Sequence, residues 1–76
     1  MQLTRTRSDL TIREHQVLAF LVEGLSAKEI AISLGIAPRT VECHIDHLRA
    51  KMHCRNRAQL IALSVGLGIV MPAMTA

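Results

Sequence analysis

Aromatic residues are nearly absent from this chain. Phe20 stands alone, with no Trp and no Tyr among 76 residues. The chain is nonetheless 50% hydrophobic, so its core must be built from Leu, Ile, Val, Ala and Met. Alternating aromatic and β-branched runs are missing too, which argues against strands and for a helical domain. Two cysteines, Cys43 and Cys54, are too few for a disulfide framework and fit a reducing compartment. The first ten residues are polar and basic, without the apolar run of a secretory signal. After Arg57 no charged side chain remains. That end is apolar over 60–74, but Gly66, Gly68 and Pro72 interrupt it, and it falls short of the ~20 apolar residues a spanning helix needs. It reads as a core helix with a buried or dimer-forming face. The length allows one small domain, whose marginal core would gain from oligomerisation. Repeats, linkers and low-complexity segments are all lacking.

Charge is distributed unevenly. Over residues 1–25, Arg5, Arg7 and Arg13 are cancelled by Asp9, Glu14 and Glu23. Over 26–57, Lys28, Arg39, Arg49, Lys51, Arg55 and Arg57 outnumber Glu29, Glu42 and Asp46, and the whole net charge of +3 resides there. A basic middle segment suits a phosphate-binding face, although an ordinary solvated surface would show the same modest excess.

Local signals divide the chain into four helices. Thr11 with Glu14 makes a capping box at the start of the first, whose buried face is Val17, Leu18, Leu21 and Val22 and which Gly24 ends. Ser26 with Glu29 makes a second box. Ile30, Ala31 and Leu34 give the second helix (27–34) an apolar face, and Gly35 supplies its left-handed stop. Pro38 sits at the first turn of a third helix (38–52), along which Val41, Ile45, Leu48 and Met52 form an apolar stripe. His53 falls where a left-handed terminating residue is expected, and Asn56 can cap a fourth helix reaching about Val65. Two short helices around a glycine turn match a helix-turn-helix, whose second helix reads the major groove of double-stranded DNA.

The residues carry a wider pattern. Leu10-Thr11-x-Arg13-Glu14-x-x-Val17-Leu18, Gly24-Leu25-Ser26-x-Lys28-Glu29-Ile30-Ala31, Leu34-Gly35-Ile36, Thr40-Val41-Glu42-x-His44, Lys51-Met52 and Asn56-Arg57 together resemble the LuxR/GerE-type DNA-binding domain. The resemblance covers about residues 10–67. It implies an all-α, four-helix domain over 10–70, with the helix-turn-helix about 26–52 and a dimer helix about 56–66. A flexible polar arm (1–9) and a tail (71–76) flank it. It further implies a bacterial transcription regulator that binds DNA as a homodimer in the cytoplasm, associated with the nucleoid. Met1 favours a standalone product over an excised domain.

Carried over by position, Glu42, Cys43 and Asp46 fall at the family's base-facing sites. Many members place Lys where Glu42 and Asp46 stand here. Glu42 has two readings: it accepts from cytosine N4–H, or it pairs with Arg39 or Arg49 and reads nothing. Lys28, Arg39 and Thr40 are the expected phosphate contacts, with Arg49, Lys51, Arg55 and Arg57 as outer ones. His47, one turn after Cys43, is placed to face DNA; His44, beside the apolar stripe, reads as a packing or hydrogen-bonding residue. Leu60, Ile61, Leu63 and Ser64 are the expected dimer contacts.

Cys43, His44, His47, His53 and Cys54 lie close in sequence but lack a paired Cys-x-x-Cys. No metal is expected, and Cys54 reads as a small buried hydrophobe. Glu14, Glu29 and Glu42 are better explained by caps and surface pairs than by acid–base chemistry, so no enzyme, cofactor, small-molecule ligand or membrane association is expected. Two alternatives stand beside the leading one. Region 4 of a sigma factor shares the Leu-Thr-x-Arg-Glu opening and would bring RNA polymerase as partner. A protein-interaction module with weak DNA affinity would explain the acidic Glu42 and Asp46.

Overall fold

The computed structural model describes residues 10–68. They form α1 (Ile12–Val22), α2 (Ala27–Leu34), α3 (Pro38–Lys51) and α4 (Arg57–Gly66), with no strand among the described residues. The arm expected over 1–9 and the tail expected over 71–76 lie outside them. No described helix is long and apolar enough to cross a membrane.

Both capping boxes form. Thr11 Oγ1 accepts from Glu14 N–H at 3.0 Å, and Glu14 Oε1 accepts from Thr11 N–H at 3.0 Å. Ser26 and Glu29 repeat the exchange at 3.2 and 2.8 Å. Asn56 caps α4 by accepting from Gln59 N–H at 2.8 Å. The first three helices end alike. Each closes with an N–H reaching back five residues: Leu25 to Phe20, Ile36 to Ala31 and Cys54 to Arg49. The chain turns at a left-handed residue, Gly24, Gly35 or His53. His53, with φ 55°, bears this conformation without glycine's freedom.

The core takes Val17, Leu18 and Leu21 from α1, Ala27, Ile30 and Ala31 from α2, Val41, Ile45 and Leu48 from α3, and Leu60 from α4. α1 and α3 each pack against all three other helices, so the inward stripe of α3 meets α1 at the centre of the fold. Leu34, Met52, Cys54 and Phe20 close the edges, each half-buried against this cluster.

Glu14 corrects the expectation of a surface carboxylate. It is buried at 4% exposure, and Lys51 Nζ donates to its Oε1 at 2.8 Å. The pair ties the first turn of α1 to the last turn of α3. Each charge also sits at the helix end that favours it, the anion at an N-terminus and the cation at a C-terminus.

α4 brings a second correction. Leu60 and Ser64, expected at a dimer surface, are both at 0% exposure inside the protomer and offer nothing to a partner. Ser64 is tolerated there because its hydroxyl donates to the Leu60 carbonyl at 2.7 Å. Ile61 and Leu63 are half-buried, while Ala58, Ala62 and Val65 are exposed.

Candidate nucleic-acid interface

α3 divides sharply into two sides. Val41, Ile45 and Leu48 are buried. At 100° per residue, Arg39, Cys43, Asp46 and Ala50 point the opposite way, and all four are exposed. Thr40 and His47 border this strip towards α1, and Glu42 borders it towards α4; these three are exposed as well. The turn before α3 puts Arg39 and Thr40 at its positive end. Ala37, at the cap position, makes no side-chain cap bond, and Pro38 follows at the first helical position. Lys28 lies exposed in the first turn of α2. Of the residues expected to contact DNA, Lys28, Arg39, Thr40, Glu42, Cys43, Asp46 and His47 therefore present exposed side chains from α2 and α3.

Arg49 and Lys51, expected as outer contacts, are engaged within the fold. Lys51 holds Glu14. Arg49 donates through Nη1 to the Arg55 carbonyl at 2.9 Å, and its Nη2 lies 3.6 Å from Asp46 Oδ1. Arg49 thus fastens the α3–α4 connection to α3.

Glu42 has a partner the sequence reading did not name. Its Oε1 lies 4.0 Å from Arg57 Nη2, not against Arg39 or Arg49. One available signal was missed: Arg57 opens α4, whose first turn holds no acidic residue, so a compensating charge had to come from elsewhere.

Burial alone would raise the Glu14 carboxyl. The Lys51 hydrogen bond, the Thr11 N–H and the charges of Lys51 and His47 outweigh it, so Glu14 titrates below the ordinary glutamate range. This shift belongs to a structural bridge. Among the described residues no three His, Cys, Asp or Glu side chains converge to hold a metal ion. Cys43 is an exposed free thiol and Cys54 a half-buried one.

Comparison with known proteins fits this geometry. The chain is similar to the transcriptional regulatory protein FixJ of Azorhizobium caulinodans, 42% identical over 60 residues that cover 79% of this chain and 28% of FixJ. It is 43% identical over 63 residues to the transcriptional activator protein AhyR of Aeromonas hydrophila, covering 83% of this chain and 24% of AhyR. The chain thus spans under a third of the length of these curated relatives. The solved structure of the transcription factor GerE superposes with a TM-score of 0.75 at 36% identity, over 80% of this chain and 91% of GerE. VqmA of Vibrio cholerae, solved as a VqmA–ligand–DNA complex, gives a TM-score of 0.78 at 35% identity, over 91% of this chain and 29% of VqmA. The family model of bacterial regulatory proteins of the luxR family matches residues 8–64. With four helices in the same arrangement and a match through most of its length, this chain belongs to the luxR family of DNA-binding bacterial transcription regulators.

Proposed function

We propose that this chain is the DNA-binding unit of a sequence-specific bacterial transcription regulator. It reads the major groove with the outward side of α3 and pairs with a second copy through α4. The carrying observation is the division of α3. One side is the centre of the core, and the other exposes Arg39, Thr40, Cys43, Asp46 and His47 with no packing role. Among the described residues no ion pair involves Lys28 or Arg39. These two cations and Thr40 are assigned to backbone phosphate, assisted by the open positive end of α3. Cys43, Asp46 and His47 face bases. Arg49 and Lys51 support the surface from behind.

The dimer face is the outward strip of α4. Ala58, Ile61, Ala62 and Val65 recur at i, i+3, i+4 and i+7, and small side chains let two helices approach closely. The chain works on the nucleoid in the cytoplasm, and RNA polymerase is the machinery its binding ultimately affects. The protein-interaction reading was motivated by the negative charge that Glu42 and Asp46 place on the surface meant for DNA. Each has an arginine within 4.0 Å, which offsets that negative charge in the free protein and favours the DNA-binding reading.

Selection of bound sequences from a random duplex pool, followed by mobility-shift titrations over a salt series, tests this function. The expected product is a two-half-site sequence bound with strong salt dependence. Arg39→Ala weakens binding to every duplex and lowers the salt slope by about one. A chain that selects no sequence and shifts no duplex at low salt is not a DNA-binding unit.

A further inference from the structure

Glu42 lies on the α4 side of the surface assigned to DNA. Its pair with Arg57 joins the second turn of α3 to the first residue of α4, and the two side chains are 57% and 42% exposed. Arg57 has no local reason to occupy that position. A cation at the positive end of a helix is disfavoured, and no acidic residue of the α4 first turn offsets it. Glu42 supplies the offset from α3. One turn further along, Asp46 pairs with Arg49 within α3 at 3.6 Å, and Arg49 is also fastened to the Arg55 carbonyl. Among the described residues Glu42 is the only side chain bonded to or paired with Arg57. Of the two arginines, Arg57 is therefore the one able to leave.

Resting on the DNA-binding reading above, we propose that Glu42 acts on DNA through Arg57. It is a positioning residue that holds the guanidinium against α3 in the free protein and releases it to a backbone phosphate in the complex. Carboxylate and phosphate compete for the same planar donor; Glu42 holds it by one contact at 4.0 Å, and a phosphate that makes two parallel bonds displaces it. An exposed pair at this separation is weak enough to exchange. Phosphates carry no sequence information, so Glu42 sets affinity evenly across sequences and leaves base preference to its neighbours on α3.

Four full-length chains decide the matter: the original, Glu42→Gln, Arg57→Gln and the double variant. All are titrated by fluorescence anisotropy on the selected duplex, its single-base-pair variants and a random duplex, over a salt series. Both positions are exposed, so the core is untouched. Glu42→Gln is expected to tighten binding about two- to fivefold on every duplex and to keep the original salt slope, whereas Arg57→Gln lowers that slope by about 0.9, one phosphate. With Arg57→Gln present, the same substitution gains nothing. A gain that survives without Arg57 overturns the proposal. So does a loss of discrimination at one base pair of about fivefold or more, the sign of direct cytosine readout. An original chain that binds while Glu42→Gln behaves identically removes this inference alone. An original chain that binds no duplex removes it together with the function.

Discussion

Glu14 serves two helices with one carboxylate. Oε1 accepts from the Thr11 N–H that opens α1 and from the Lys51 ammonium at the end of α3. Because its folded-state titration lies below the ordinary glutamate value of 4.5, the folded chain holds its proton less tightly than the unfolded one. The resulting stability is complete above the ordinary value and is lost as pH falls through the folded-state value. Glu14→Gln keeps the length needed for the cap but loses the ion pair. Lys51 is 36% exposed, so screening limits the cost to about 1 kcal/mol at neutral pH. Thermal unfolding at pH 7 and pH 3 checks this: the variant melts lower at neutral pH, and the difference closes in acid. The box between Thr11 and Glu14 was legible in the sequence because its partners are three residues apart. The bridge was not, since Lys51 lies 37 residues away and no local pattern joins them.

At the scale of elements, α3 was legible and α4 only partly so. The stripe Val41, Ile45, Leu48 and Met52 repeats at helical spacing and predicts its own burial, which the structure bears out for the first three and, at the edge, for Met52. Along α4, apolar residues occur on every side, so periodicity does not choose a face. Ser64, expected among the dimer contacts, is buried instead. Its back-bond to the Leu60 carbonyl satisfies the hydroxyl internally, and packing against the core then decides its side. On the corrected face, Val65→Asp puts a charge into the proposed contact between copies without touching the buried Leu60. Sedimentation velocity is expected to show the original chain self-associating, most clearly on DNA, and the variant remaining monomeric. The variant keeps its helical content, and its affinity for a two-half-site duplex falls towards that for one half-site. Unchanged association would place the dimer contact elsewhere.

For the molecule as a whole, small size governs the consequences. A domain of this length has a stability of about 4–11 kcal/mol, of which a single large-to-small change in the core, costing about 2–5 kcal/mol, removes a large share. The four helices and their ends were legible because caps and stops are local. Which charged side chains meet across the helices was not, because that depends on how the helices stack. In the proposed pairing, a symmetric dimer places two copies of α3 about 34–36 Å apart along the duplex, one helical turn. Inserting five base pairs between the half-sites turns one of them to the opposite side of the helix. Binding is expected to fall to that of a single half-site, and inserting a full turn recovers part of it only if the pair is flexible. A gel-shift series over insertion length checks this.

The division of α3 also bears on how such a protein changes over time. Arg39, Cys43, Asp46, His47 and Ala50 are exposed and absent from the hydrophobic cluster, and the side-chain caps belong to Thr11, Ser26 and Asn56. On the proposed function, folding and reading thus fall to separate residues of one helix. Substitutions on the outward side escape the penalty that falls on Val41 or Leu48, so a lineage can drift to new operators while its scaffold stays constant. An engineer can follow the same route, rewriting the outward positions of α3 to redirect the domain without redesigning its interior.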